Sequence, residues 1–171
     1  MKALKSNIDP KSSSFKDNAK QMKLFVEQLH NHLQASREQG NEIQIERARK
    51  RNKLLARERI ELVLDKDSPF MELLPLIGLE NKEGFGAGGT NVSGIGLVAG
   101  KLFMINSNVG SRKGGAIDFA TSEKGIRIAE ITIKNKLPTI NLVESGGVNL
   151  PDQDRVFNNA GASFREISRR S

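Results

Sequence analysis

Apolar residues recur with a helical period in the N-terminal third of the chain. The positions spaced three or four residues apart are Met22, Phe25, Val26, Leu29 and Leu33. They share one stripe, which predicts a helix that begins near Phe15 and stops at Gly40. Residues 1–14 are polar and contain Pro10, so we expect them to form a flexible leader.

A second helix is predicted over residues 42–64, because this stretch is rich in Arg, Lys, Glu, Leu and Ala. Turn-forming residues from Asp65 to Pro69 would end it. Residues 15–66 would then form a helical arm that packs on the rest of the protein or on another subunit. Two histidines, His30 and His32, lie two positions apart in the first helix and therefore point away from each other, so a shared metal is not expected.

Extended patterns follow the arm. Residues 70–89 are interrupted by Pro75, Gly78 and a glycine-rich stretch, and they are predicted to be a mobile connector. Apolar residues at 92–98 and 102–105 flank Ala99, Gly100 and Lys101, which favours a tight turn. These two segments are therefore predicted to pair as a hairpin.

Helical and extended patterns then alternate toward the end of the chain. Residues 121–134 have helical spacing, residues 139–143 are apolar and β-branched as in a buried strand, and another helix is predicted from about Ala162. This order predicts a layered α/β fold with a parallel component and a right-handed crossover. The α/β unit would span residues 67–171.

Composition excludes several classes of protein. Apolar residues make up 37% and charged residues 27% of the 171 residues, as in globular domains. The absence of Cys excludes disulfides, thiolate zinc sites and cysteine nucleophiles. The sequence has no apolar run of about 20 residues that could span a membrane and no secretory signal pattern. We therefore expect a cytoplasmic protein that does not bind a membrane.

The net charge of +7 is concentrated in the arm, where residues 1–66 hold 15 basic and 9 acidic side chains. The basic cluster consists of Arg47, Arg49, Lys50, Arg51 and Lys53. No aromatic residues alternate with these cations as a stacking platform for bases would require. Nucleic acid is therefore not expected as a partner.

Two glycine-containing loops are the candidates for binding or chemistry, because each follows a predicted strand. In the first, Lys113 precedes Gly114 and Gly115, so a cation and exposed backbone N–H groups could meet an anion. A purely structural turn explains the same residues about as well. The glycine spacing of a phosphate-binding P-loop is missing.

The second loop, Ser145-Gly146-Gly147-Val148, can direct successive N–H groups into a cleft as an oxyanion hole. A serine hydrolase is the alternative, but it requires Gly-x-Ser-x-Gly and a later His, and no His follows His32. Three acids near this loop are Glu144, Asp152 and Asp154. They are interpreted as caps of the following helix or as partners of neighbouring residues such as Arg155, and no metal is assigned.

Short segments along the chain match, in order, the motifs of one enzyme family. They are residues 53–60 (KLLARERI), 64–73 (LDKDSPFMEL), 93–98 (SGIGLV), 105–108 (INSN), 112–115 (RKGG), 137–138 (LP) and 142–153 (LVESGGVNLPDQ). The chain therefore resembles the carboxyltransferase (β) subunits of biotin-dependent acyl-CoA carboxylases of the propionyl-, methylcrotonyl- and acetyl-CoA type.

The resemblance implies a crotonase (ClpP)-like fold in two related domains, the first binding acyl-CoA and the second carboxybiotin. It also implies a ring-shaped hexamer and, as partners, a biotin carboxylase and a biotin carboxyl carrier. Biotin would be carried on such a partner, and the location would be the cytoplasm or, in a eukaryote, the mitochondrial matrix. CO₂ would pass from carboxybiotin to the α or vinylogous γ carbon of an acyl-CoA through a thioester enolate.

By the same resemblance, backbone N–H groups of Gly147 and Val148 would form half of the oxyanion hole. The acyl-CoA would contact Lys113, Gly114, Gly115, Ser145 and Gly146. The family's other half-site is an Ala-Gly-Gly loop that follows later than residue 171. Residues 67–171 are thus expected to be an incomplete acyl-CoA-binding domain that is inactive alone.

Two departures from the family pattern leave alternatives open. The family's Asp-x-Thr is replaced around Asn108–Arg112, and its usual Ala after Ser-Gly-Gly is Val148. A Val there also occurs in biotin-dependent decarboxylases of the glutaconyl-CoA type, which are one alternative. A noncatalytic assembly or binding module that uses the helical arm is the other.

Overall fold

The fold is built on a four-stranded mixed sheet. A computed structural model describes residues 6–81, 85–157 and 161 of the chain. The strands are β1 (Phe70–Leu73), β2 (Asn91–Val98), β3 (Lys101–Asn108) and β4 (Thr139–Leu142), and their spatial order is the same as their order in the sequence. The first three strands are antiparallel, whereas β4 is parallel to β3. The predicted parallel component is confirmed.

The predicted hairpin is also confirmed as β2 and β3. Val98 pairs with Lys101 across a two-residue turn in which Ala99 (φ 49°) and Gly100 (φ 73°) are both left-handed, the geometry that matches the twist of two strands. The Asp65 carboxylate accepts hydrogen bonds from both turn N–H groups, at 2.7 Å each. The end of the helical arm is thereby tied to the hairpin.

The interpretation of residues 70–89 as a mobile connector was wrong at its start. Phe70–Leu73 forms β1, which pairs with residues 93–96 of β2. The Phe70 ring packs over Gly94, where an added Cβ would overlap it. The glycines of β2 therefore accommodate an edge-strand side chain, a contact that periodicity does not reveal.

Within the described residues, four α-helices of six or more residues accompany the sheet. The first, α1 (Ser13–Arg37), is capped by Ser12, whose side chain accepts from the Phe15 N–H. The single helix predicted over residues 42–64 was wrong, because it is divided into α2 (Glu42–Lys50) and α3 (Ala56–Glu61). Asn52 adopts a left-handed conformation (φ 53°) between them, which a continuous helix does not allow.

The short helix α3 is part of the core. Its Ala56 and Ile60 are each 2% exposed and pack against Val92, Ile105 and Val109. Buried side chains of this kind each contribute about 1.5–3 kcal/mol by leaving water. The helical arm of the sequence prediction thus includes a segment that covers the sheet.

The helix α4 (Phe119–Lys134) connects the parallel strands β3 and β4, and Asp118 caps it by accepting from the Thr121 N–H. Its buried positions repeat mainly every four residues and are Ala120, Thr121, Lys124, Ile128 and Thr132. No helix in the described part of the chain is long and apolar enough to cross a membrane. Some of the predictions fall outside the described residues. They concern the first five residues of the leader, Gly84 of the connector, and the helix predicted to begin at about Ala162.

Candidate functional site

The structure brings the two glycine loops together at one edge of the sheet. They follow the parallel strands β3 and β4, whose carboxyl ends meet at the same edge. The Gly146 N–H donates to the Gly114 carbonyl oxygen at 2.8 Å. The Ser145 hydroxyl donates to the Gly115 carbonyl oxygen at 3.0 Å. Residues separated by about thirty positions in the sequence therefore form one site.

Backbone pairing continues beyond the glycines. The Ile117 N–H donates to the Gly147 carbonyl oxygen, and the Asn149 N–H donates to the Ile117 carbonyl oxygen, both at 2.8 Å. These bonds form a parallel bridge between Ile117 and Val148. The second loop is thus fixed to the first on both sides of Gly147.

The first loop is left-handed at three successive residues, with φ of 49° at Lys113, 65° at Gly114 and 69° at Gly115. Glycine is required at Gly115 because an added Cβ would overlap the Glu144 carbonyl oxygen, whereas the space around Gly114 is open. The Lys113 side chain is exposed, and its ammonium lies 5.9 Å from the Phe85 ring centroid. A cation is therefore available to a ligand at this loop.

The N–H groups of the second loop differ in availability. Those of Gly146 and Gly147 are used, the latter by the Ser145 hydroxyl oxygen at 3.2 Å. The Val148 N–H has no hydrogen bond to another described residue. The Ser145 hydroxyl bridges Gly115 and Gly147, and both histidines are exposed on α1.

Glu144 carries an ion network that sequence reasoning did not find. Its carboxylate lies 2.5 Å from the Lys53 ammonium and 3.7 Å from the Arg59 guanidinium. Its N–H donates to the Asn108 side chain at 3.2 Å. The expected role as a helix cap or partner of a neighbour such as Arg155 was wrong for this acid, because its partners are 91 and 85 positions away. No local pattern could have indicated them.

The other two acids take no part in this network. The Asp152 carboxylate accepts from the Asn149 side chain at 2.8 Å. Arg155 stacks on the Phe119 ring, 3.8 Å from its centroid, so the ion pair suggested for Arg155 is replaced by a cation–π contact. Within the residues that the structure describes, no group of three or more His, Cys, Asp or Glu side chains is arranged to hold a metal.

A basic cleft of about 370 Å³ adjoins the first loop. Its charged lining residues are Arg47, Arg51, Lys53, Lys113 and Glu144. Cations outnumber the single carboxylate, so the cleft has the charge expected of an anion-binding site. Three members of the basic cluster, Arg47, Arg51 and Lys53, therefore lie beside the glycine loops.

Arg112 fixes the first loop to the rest of the molecule. Its guanidinium donates to the carbonyl oxygens of Ala87 (3.1 Å) and Gly89 (3.0 Å), and also to that of Glu38 at the end of α1. Burial, and to a smaller extent the nearby charge of Arg57, lowers the pKa of Arg112. Its carbonyl partners compensate for the lost hydration, so a charged side chain can be half-buried next to Lys113.

Comparison with known proteins shows the family of the chain. The family model described as "Carboxyl transferase domain" matches residues 47–171. The chain belongs to the carboxyl transferase family. A relative in Drosophila melanogaster, named a probable methylcrotonoyl-CoA carboxylase beta chain, mitochondrial, is 44% identical over 90% of this chain and 27% of its own. The probable biotin-dependent acyl-coenzyme A carboxylase beta2 subunit of Mycobacterium tuberculosis is 38% identical over 98% of this chain and 31% of its own.

Solved structures of carboxyl transferase proteins have the same fold. The geranyl-CoA carboxylase beta subunit of P. aeruginosa superposes with a TM-score of 0.74 at 29% identity, covering 98% of this chain and 32% of that subunit. Transcarboxylase 12S superposes with a TM-score of 0.72 at 25% identity, covering 85% and 29%. The α/β, crotonase-like fold and the family resemblance are both confirmed. The chain spans about a quarter to a third of the length of these relatives.

Proposed function

We propose that this chain supplies the acyl-CoA-binding part of a carboxyltransferase in a biotin-dependent acyl-CoA carboxylase. The reaction would move CO₂ from carboxybiotin to the α, or vinylogous γ, carbon of an acyl-CoA. The single observation that carries the proposal is the pairing of the two glycine loops, which leaves the Val148 N–H without a partner among the described residues. Family membership supports the class of reaction.

The paired loops suit a thioester oxygen. Negative charge develops on that oxygen when the α-proton leaves, and an aligned N–H group stabilises it; removing one such donor typically costs about 10²–10³ in rate. The Val148 N–H would be the principal donor. The Gly147 N–H, already bonded to the Ser145 hydroxyl at 3.2 Å, would contribute only by being shared. Biotin, when bound to a partner, would supply the carboxyl group, and none of the described residues is assigned to hold it.

The basic cleft suits the other end of an acyl-CoA. Coenzyme A carries several phosphate charges, and Lys113 lies in both the cleft lining and the first loop. A phosphate near Arg47, Arg51 and Lys113 would leave the acyl group free to reach the second loop. Lys113, Gly114, Gly115, Ser145 and Gly146 are therefore proposed as acyl-CoA contacts, with the glycines admitting close approach of the ligand.

The comparisons support further parts of this proposal. The fly relative is named for methylcrotonoyl-CoA, so a short or branched acyl-CoA is the proposed substrate. The transcarboxylase 12S structure is that of a hexamer assembly, which supports a ring-shaped hexamer here. We propose a biotin carboxylase and biotin carboxyl carrier as partners, and the cytoplasm or a mitochondrial matrix as the location.

Binding of acyl-CoA to the 171-residue chain tests the proposal. Titration calorimetry with methylcrotonoyl-CoA and propionyl-CoA should detect saturable binding. Lys113→Gln should weaken it about three- to tenfold, because one charge-assisted contact is lost. Lys101→Gln is the matched control, since this exposed cation lies at the opposite end of β3. No saturable binding, or equal weakening by both substitutions, would contradict the proposal.

Carboxyl transfer itself is tested in a hybrid subunit, because the chain spans about a third of the geranyl-CoA carboxylase beta subunit. Residues 1–171 can replace the aligned segment of the P. aeruginosa geranyl-CoA carboxylase beta subunit, and the hybrid can be supplied with that enzyme's biotin-bearing partner. We expect acyl-CoA-dependent incorporation of labelled bicarbonate. A correctly assembled hybrid that binds acyl-CoA but incorporates no label would remove the carboxyltransferase assignment while leaving the binding site.

A further inference from the structure

Glu144 is restrained at each of its polar groups, which is more than a surface ion pair requires. Its N–H is held by the Asn108 side chain at the end of β3. Its carbonyl oxygen packs against Gly115 so closely that a Cβ there would overlap it. Its carboxylate meets two cations, Lys53 and Arg59. The residue that immediately precedes Ser145 is thus fixed along its whole length.

Space for the carboxylate is provided by another glycine. A Cβ built on Gly110 would overlap the Glu144 carboxyl group, so Gly110 leaves room for this acid. Gly110 has no left-handed φ that would otherwise require glycine. Close approach of the carboxylate is therefore the structural reason for a glycine at this position.

The two cations come from the core helix α3 and from the turn that precedes it. Arg59 belongs to α3, whose neighbours Ala56 and Ile60 are buried in the core, and Lys53 lies in the turn that leads into α3. One guanidinium nitrogen of Arg59, Nη1, is buried without a hydrogen bond to any described residue. That nitrogen lies 3.7 Å from a Glu144 carboxylate oxygen. The salt bridge with Glu144 therefore compensates part of the charge at this buried nitrogen.

We infer that Glu144 is a positioning residue: with Lys53 and Arg59 it fixes the Ser145–Val148 loop to the core so that the Val148 N–H keeps its alignment with a thioester oxygen. This inference rests on the proposed function, since it assigns the network to the same oxyanion site. Glu144 itself contacts no reacting atom. A loop that shifts by about 1 Å can lose up to about a hundredfold in rate, so anchoring to a core helix has a catalytic consequence.

The first test needs no ligand. Amide hydrogen exchange, followed by NMR on the 171-residue chain, reports the bonds that hold the two loops together. In Glu144→Gln, the amides of Gly146 and Ile117 should exchange about three- to tenfold faster, because a charge-assisted anchor is lost. The Val109 amide, which donates to Thr90 at 2.8 Å, should be unchanged. Glu130→Gln is the matched control, because its pair with Arg127 is exposed on α4.

The second test measures how well the Val148 N–H is aligned with the thioester oxygen. Isotope-edited infrared spectroscopy of a bound acyl-CoA with a ¹³C-labelled thioester carbonyl should show a band shifted to lower frequency than in water. Glu144→Gln should reduce that shift, and Lys53→Gln should reduce it less because Arg59 remains. A purely structural ion pair would alter stability without moving this band.

The outcomes of these tests distinguish the positioning role of Glu144 from the proposed function of the chain. Unchanged exchange at Gly146 in Glu144→Gln, or an unchanged carbonyl band, overturns the positioning role even if acyl-CoA binds normally. Failure of the unsubstituted chain to bind acyl-CoA removes the proposed function, and the exchange data still decide whether Glu144 anchors the loop. If Glu144→Gln does not fold, Lys53→Gln replaces it, and normal exchange in that variant overturns the inference.

Discussion

The helices α1 and α4 share an apolar pattern but differ in how deeply they are buried. Each has an apolar stripe with helical spacing, but Ile128 of α4 is 4% exposed whereas Met22 and Phe25 of α1 are 60% and 62% exposed. Ser36, at the end of α1, is the residue of that helix that is buried. Amphipathic spacing therefore predicts a helix and an apolar face, but it does not predict the surface that covers the face.

The end of α1 shows how an exposed helix is joined to the core. The Arg57 guanidinium donates to the carbonyl oxygens of Ser36 and Arg37 at 3.2 and 3.1 Å and pairs with Glu72 at 2.7 Å. Arg112 donates to the next carbonyl oxygen, that of Glu38. Carbonyl groups that a helix end leaves unpaired are thus satisfied by two cations of the domain.

The largest expected difference in stability is between a substitution in α3, which is in the core, and one in α1. Ile60→Ala should lower the free energy of unfolding by about 2–5 kcal/mol because it leaves a cavity in the core. Phe25→Ala removes a larger side chain that is 62% exposed, and we expect a change within about 0.5 kcal/mol. Urea unfolding of both variants measures the contrast. Equal losses would show that the stripe of α1 is covered in solution.

A second contrast concerns two adjacent glycines in the first loop. Gly115→Ala places a Cβ against the Glu144 carbonyl oxygen and should cost about 2–4 kcal/mol of unfolding free energy. Gly114→Ala has open space and the same left-handed backbone, so only the conformational cost of about 1–2 kcal/mol applies. Thermal or urea unfolding distinguishes them. A cost for Gly115→Ala no greater than that for Gly114→Ala would mean that the loops separate easily.

The buried stripe of α4 contains an ammonium group, which the stripe of α1 does not. Lys124 is fully buried, and its Nζ donates to the Asn91 carbonyl oxygen at 2.6 Å and to that of Gly88 at 3.3 Å. Burial lowers the pKa of Lys124 from 10.5 to about 8, with a smaller opposing effect from Glu72 and a smaller lowering effect from Arg57. The side chain can therefore titrate within the folded protein at about pH 8.

The lowered pKa of Lys124 determines the direction in which the free energy of unfolding changes with pH. Between pH 8 and 10.5 the unfolded state binds one more proton at Lys124 than the folded state, so the free energy of unfolding rises with pH. The rise should be roughly 2–3 kcal/mol across the window, and Lys124→Met should lack it. The chain has no Tyr or Cys to titrate in this range. Parallel pH dependence of both proteins, measured by urea unfolding, would contradict the lowered pKa.

The smallest expected effect is at the junction between α1 and the core. Arg57→Met should lower the free energy of unfolding by about 1–2 kcal/mol, because Glu72 loses its partner and two helix carbonyls lose donors. Arg57→Lys keeps the charge but not the two-pronged geometry, and it should recover part of the loss. Hydrogen exchange in the last turn of α1 should increase in both variants. Unchanged exchange there would show that Arg112 alone holds the helix.

Local patterns predicted most elements and failed where a contact between distant residues decided the outcome. The hairpin and α4 were predicted because alternation, turn residues and helical spacing are local. The division of residues 42–64 into α2 and α3 was not predicted, because good helix formers surround the left-handed Asn52. The strand β1 was not predicted, because it depends on the packing of Phe70 on the glycines of β2.

The candidate site was predicted in the same uneven way. Both glycine loops were found, since glycine and turn chemistry mark them and each follows a strand. Their direct pairing, the N–H of Val148 that is unpaired within the described residues, and the cleft beside α2 were not found. The ion network around Glu144 could not be found from spacing, because its partners come from an element much earlier in the chain.

By itself, the sequence determined most of the helical and extended segments, the tight turn of the hairpin, the excluded chemistries and the family, because these depend on neighbouring residues or on ordered motifs. Only the tertiary structure decided that α4 buries its stripe while α1 exposes it, and that Lys53 meets Glu144 across 91 positions. The physical reason is that burial and ion pairing depend on which surfaces meet after the chain has folded. Short-range periodicity contains no information about that choice.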